Sequence, residues 1–204
     1  NDGNIIETPR QMFARVATSI AMAEQEYSGD ATYITNLAHK FYNLMANMDF
    51  LPNSPVFKGA GLGINLAACY FIDIEDSRKS IFKVLSQAAD IQAFGGGVGF
   101  NFSKLRPKGS MIKSTGGTSS GPVSFMQIFD VTIGKVITQG GGTRAGAQMA
   151  ILMYNHPDIL EFINCKNDGG LTNFNISVGI TSEFMRMAIN NKDFDLVNPH
   201  DGTV

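Results

Sequence analysis

Cys69, in the run Ala67-Ala68-Cys69-Tyr70-Phe71, is one of two thiols in a sequence of 204 residues. A thiol can give up a hydrogen atom or join a disulfide, but in an apolar run it can equally be a small buried hydrophobe. Cys165, beside Lys166 on the last turn of an expected helix, reads as incidental. The other available chemistry is anion binding. Asn53-Ser54-Pro55, Gly95-Gly96-Gly97 and Lys113–Gly121 place glycines or hydroxyl residues where several N–H groups can converge on an anion. Arg106, Lys108, Lys113 and Arg144 stand beside or within these loops and suit a polyphosphate. The same residues would also suit tight turns with solvent-facing cations, and residue types alone leave both readings open. Of 22 glycines, 16 lie between Gly59 and Gly146, so any close approach to the backbone is concentrated there.

Composition removes several classes. Hydrophobic residues make up 44% and charged residues 17%, the reverse of a disordered tail. A net charge of −2 argues against a general nucleic-acid binder. Two cysteines with 95 residues between them make no disulfide framework, and no Cys-x-x-Cys suggests zinc. His156, before a proline, has no carboxylate–histidine cluster around it and reads as a cap. No apolar run approaches the roughly 18 residues of a membrane span, and the N-terminus lacks a signal-peptide pattern. The expectation is a soluble, cytoplasmic chain that binds neither membrane nor nucleic acid. There is no P-loop, no dinucleotide fingerprint, no His-Glu-x-x-His and no Gly-x-Ser-x-Gly.

The elements that must position these residues follow from periodicity. Residues 1–50 read as a helical segment. Thr8-Pro9-Arg10-Gln11 has capping-box form, and a second helix carries Leu37, Phe41, Leu44, Met45 and Met48 on one side. From residue 51 to 204 strands and helices alternate. Expected strands are Leu66–Ile74, Val98–Phe102, Ala147–Tyr154 and Asn175–Gly179. Expected helices begin at Asp76-Ser77, before Phe125, at His156-Pro157-Asp158, and at Ser182 with Phe184, Met185 and Ala188 inward. Residues 106–123 show no periodicity. Four such alternations predict an α/β fold with parallel strands, a barrel or an open sheet.

These loops carry a resemblance. Leu51-Pro52-Asn53-Ser54-Pro55, Ala68-Cys69, the stretch Gly95–Pro107, the stretch Ser114–Met126 and Asn173-Phe174-Asn175-Ile176-Ser177-Val178 occur in this order. Together they resemble the catalytic subunit of ribonucleotide reductase, most closely the dimeric, adenosylcobalamin-dependent class. The resemblance implies helices followed by the first half of a ten-stranded α/β barrel, and an enzyme that makes deoxyribonucleotides by thiyl-radical chemistry. It implies that Cys69 is the first cysteine of the redox pair and that Ser54, Ala68, Gly96 and Gly97 line the substrate, the glycines letting the nucleotide approach the backbone. It further implies a deoxynucleoside triphosphate effector bound by Asp76, Arg106, Lys113 and Arg144 at a homodimer interface. Residues 113–121 and 138–144 would be the two specificity loops.

The sequence also departs from that pattern. Thr138, Gly142 and Ala145 stand where the family carries further cations, leaving Arg144 as the second loop's cation. The Asn-x-Cys-x-Glu finger loop and a second redox cysteine are absent from these 204 residues, and the sequence starts abruptly. The expectation is a split or processed reductase needing a complementary chain with the radical cysteine and the rest of the barrel. The alternative is a regulatory module that keeps the effector site without catalysis.

Overall fold

Thr8 opens the first helix, α1 (Pro9–Ala21), through a complete capping box. Its hydroxyl accepts the Gln11 N–H at 3.3 Å, and the Gln11 side chain accepts the Thr8 N–H at 2.8 Å. The computed structural model describes residues 4–27, 29–137, 147–167 and 169–204. They fall into two compact units, Asn1–Ala68 and Cys69–Val204.

In the first unit a 3₁₀ turn (Met22–Glu26) follows α1. Then α2 (Ala31–Ala46) starts at Asp30, whose carboxylate accepts the Thr32 and Tyr33 N–H groups. A short α3 (Ser54–Gly59) begins at Asn53, and its last carbonyls are served from α1: Arg15 donates to Phe57 O at 2.9 Å and Ala60 O at 2.5 Å. Val16, Ala17, Met45 and Ala60 form the small core, with Phe41 and Phe57 packed on it. Only part of the expected α2 face is buried. The helix ends at Ala46, so Met48 lies beyond it at φ +64°, 67% exposed.

The second unit is a parallel sheet in the order β1 (Cys69–Asp73), β2 (Gly97–Asn101), β5 (Gln148–Met153), β6 (Phe174–Gly179). Each connection returns through helix, as parallel pairing requires. β1 leads through α4 (Arg78–Ala93) to β2, and β5 leads through α6 (Ile159–Asn164) to β6. Between β2 and β5 the chain forms a small antiparallel hairpin, β3 (Met111–Ile112) with β4 (Gly117–Thr118). After it come α5 (Pro122–Val131) and a π-helical turn (Thr132–Ile137). Residues 106–123 therefore contain a hairpin, whose two-residue strands are too short to show a period. A last helix, α7 (Ser182–Ile189), buries none of its residues. Phe184 packs on Tyr154 and Phe194, whereas Met185 and Ala188 are exposed, which corrects the expectation that these two point inward.

One face of the sheet holds the core. Val98, Phe100, Ala150, Leu152 and Phe174 meet Ile81, Val84 and Ala88 of α4, Met126 and Phe129 of α5, and Phe162 of α6. Phe100 and Phe129 pack edge-on at 4.9 Å and Phe102 and Phe129 at 5.8 Å, each pair contributing about 0.5–1.5 kcal/mol beyond its burial.

Candidate functional site

The other face of the sheet follows from the register. Cys69 pairs with Gly97; Phe71, Gly99, Met149 and Asn175 form the next row, and Asp73, Asn101, Ile151 and Ser177 the one after. Partnered residues of a parallel sheet share a face. Cys69 is exposed on it, Phe71 is 64% exposed and Met149 39%. A Cβ at Gly99 would meet nothing closer than Tyr70 O at 3.8 Å, so the face is open above it. Parallel sheets ordinarily bury both faces. This one leaves a thiol on an open face, with the apolar Phe71 and Met149 in the next row.

Cys69 is the first residue of β1, not its middle. Asn65 keeps the preceding residues out of the ladder, accepting the Ala67 N–H at 3.0 Å and donating to Ala67 O at 3.1 Å. Ala68 immediately precedes the thiol as the last residue of the first unit, and Ser54 is the exposed first residue of α3. Gly96 is closely enclosed. Its N–H bonds Ile91 O at 3.1 Å, and a Cβ there would lie 2.6 Å from Ile91 Cγ2 and 2.9 Å from Tyr70 Cε2. The absent side chain makes room for Ile91 and Tyr70.

At the carboxyl end of β1 lies a second feature, about 13 Å along the strand from Cys69. Lys104 bridges Asp73 and Glu75, and the two carboxylates hold its ammonium above its ordinary range. Asp76 then pairs with Arg106: Oδ2 accepts the Nε–H at 2.7 Å and Oδ1 accepts the Arg106 main-chain N–H at 3.3 Å. Ser77 caps α4 by accepting the Ser80 N–H. Asp76, Arg106, Arg78 and the hydroxyls of Ser114, Thr115, Thr118, Ser119 and Ser120 line a cleft of about 300 Å³. The cleft offers two guanidiniums, a helix N-terminus and a row of hydroxyls, a donor set suited to a phosphorylated sugar. Lys113 is exposed on the β3–β4 turn and does not line the cleft. Arg144, with Thr138 and Gly142, lies outside the described residues.

Two contributors carry no sequence signal. Arg78 looks like any first-turn residue. His200 comes from the far end of the chain to place Nδ1 3.3 Å from Asp76 Oδ2. His156 is 2% exposed and bonds Leu105 O through Nε2 at 2.8 Å. Cys165 is half-buried, its thiol pushed up by that burial, and stands away from both features beside Asp130 and Glu161. Among the described residues no cluster of three or more His, Cys, Asp or Glu could hold a metal, and no helix is long and apolar enough to cross a membrane.

Comparison with known proteins agrees with this architecture. Residues 1–64 match the ribonucleotide reductase all-alpha domain and residues 67–204 its barrel domain. A vitamin B12-dependent ribonucleoside-diphosphate reductase of Mycobacterium tuberculosis is 42% identical over 99% of this chain, which covers 29% of that protein. The enzyme of the same description from Thermoplasma acidophilum is 40% identical over 97% of the chain, covering 33% of its length. A ribonucleoside-diphosphate reductase large chain of Neurospora crassa is 31% identical over 98%, covering 21%. The chain thus spans a third or less of these relatives. With family models matching residues 1–64 and 67–204, the chain belongs to the ribonucleotide reductase large-subunit family.

Proposed function

We propose that this chain provides the helical segment and the first part of the barrel of a ribonucleotide reductase, and that Cys69 is one of the two thiols that reduce the substrate. The observation that carries this reading is the exposed Cys69 opposite Gly97 on an open sheet face. In the proposed reaction the C2′–O bond of the ribonucleotide breaks and the oxygen leaves as water. C2′ gains hydrogen, and the two electrons come from Cys69 and a second cysteine, which become a disulfide. Ser54, Ala68 and Gly97 would line the substrate, with Gly96 holding the wall by its packing.

The radical cysteine and the second reducing thiol would come from the rest of the barrel, carried by a complementary chain that covers the open face. Phe71 and Met149 give that face an apolar surface to bury. The relatives are described as vitamin B12-dependent, and adenosylcobalamin would supply the primary radical when bound to the assembled enzyme. The Asp76–Arg106 cleft would bind a deoxynucleoside triphosphate effector in a homodimer of the complex, with Lys113 and Arg144 as further effector ligands.

The test is to combine this chain with the remaining barrel sequence, adenosylcobalamin and a dithiol, and to measure deoxyribonucleotide formation. Formation that requires both parts is expected. No product from the combination, or product from this chain alone, contradicts the proposal. A second reading, a regulatory module without chemistry, rests on the cleft being lined wholly by residues of the second unit. It predicts that the combination binds the triphosphate but forms no deoxyribonucleotide, and that Cys69→Ser leaves that binding unchanged.

A further inference from the structure

The backbone around Arg106 is held by groups remote from it in sequence. The Leu105 carbonyl accepts from His156 Nε2 at 2.8 Å, and His156 Nδ1 accepts the Asp158 N–H at 3.0 Å. Because an amide can only donate, the imidazole is the neutral Nε2–H tautomer, and both of its nitrogens are engaged. Asp158 Oδ2 in turn accepts the Lys108 N–H at 2.8 Å. One short corner after β5 thereby grips the main chain on both sides of Arg106. Other polar groups along the segment are bonded as well: Arg106 N–H by Asp76, Arg106 O by the Ser119 hydroxyl at 3.4 Å, and Gly109 N–H by Ser119 O at 2.8 Å. Gly121 seals the grip. At φ +82° its Cβ would lie 2.9 Å from Asp158 Oδ2 and 3.0 Å from Lys108 Cβ.

We propose that His156 and Asp158 are positioning residues for effector binding: a two-point clamp that fixes the Leu105–Lys108 backbone and presets the Arg106 guanidinium for a triphosphate. The proposal rests on the reading of the Asp76–Arg106 cleft as the effector site. Preorganisation is what it explains. An arginine on an unclamped loop would lose freedom on binding, and that loss would weaken the ligand.

The two halves of the clamp can be separated chemically. Glutamine at 156 can return an N–H near the Nε2 position, whereas asparagine returns an acceptor near Nδ1 but cannot reach Leu105 O. The experiment measures equilibrium binding of dTTP to the assembled reductase, with melting temperatures recorded alongside. His156→Asn and His156→Leu are expected to weaken dTTP about tenfold, and His156→Gln to stay within about threefold of the native protein. Asp158→Ala should weaken dTTP similarly and Asp158→Asn, which keeps an acceptor for Lys108 N–H, should restore it. The Asp158 pair decides the matter if the His156 variants do not fold. Unchanged dTTP affinity throughout overturns the clamp, as does a loss that follows melting temperature regardless of which hydrogen bond is restored. Arg106→Ala separates the two levels. If it leaves dTTP affinity unchanged, the effector reading itself fails; if it alone weakens binding, only the clamp fails.

Discussion

Cys69 on β1 and Gly97 on β2 are Cα partners across a parallel ladder, and Gly96, one residue earlier, is enclosed by Ile91 and Tyr70. Two adjacent glycines thus have different reasons to be glycine. Gly96 lets α4 close onto β1, and Gly97 leaves the face beside the thiol without a side chain.

That difference is measurable. Gly96→Ala forces a Cβ to within 2.6 Å of Ile91 Cγ2 and is expected to cost about 1–3 kcal/mol in urea unfolding. Gly97→Val, in an extended position that favours β-branched residues, should change stability by less than about 1 kcal/mol. In the assembled enzyme, however, it should lower kcat/KM for the ribonucleotide by about tenfold or more by displacing substrate from Cys69. Equal stability losses with unaltered kcat/KM would contradict the division of roles.

The two thiols should separate in alkylation. Cys69 is exposed, while Cys165 is half-buried with its thiol pushed up by burial, so less of it is thiolate at neutral pH. Iodoacetamide followed by peptide mapping is expected to modify Cys69 first, by about tenfold or more in rate. Faster labelling of Cys165 would overturn the placement.

Acid should loosen the first unit at one identifiable pair. The Arg15 guanidinium, hydrogen-bonded to Glu7 at 2.6 and 3.0 Å, holds the Glu7 carboxyl below its ordinary value of 4.5. A lowered carboxyl stabilises the folded state above 4.5 and loses that contribution as pH falls through the lowered value. Because Arg15 also serves the carbonyls ending α3, the loss reaches the segment that starts at Ser54. Melting temperature against pH should show native and Glu7→Gln proteins separated at neutral pH and converging in acid. A separation that persists in acid would count against the pair.

Much of this architecture was legible in the residues. The capping box at Thr8, the Ser77 cap and the four strand–helix alternations are local signals, and local signals survive into the fold. What stayed hidden is non-local. The Asn65 side chain moves Cys69 from mid-strand to strand start, and only the packed structure shows Ile91 and Tyr70 filling the space beside Gly96. The Asp76–Arg106 pair spans 30 residues and His156–Leu105 spans 51, so neither leaves a spacing to read. Asp76 is legible only through the resemblance and Arg106 through its place beside a glycine-rich loop, whereas His156 reads as a cap because half of its bonding is local.

The most direct test of the account replaces one atom. In the assembled reductase with excess dithiol, Cys69→Ser is predicted to abolish repeated turnover, lowering deoxyribonucleotide formation by about a thousandfold or more while dTTP still binds. Turnover near the native rate in Cys69→Ser would contradict the claim that this thiol reduces the substrate.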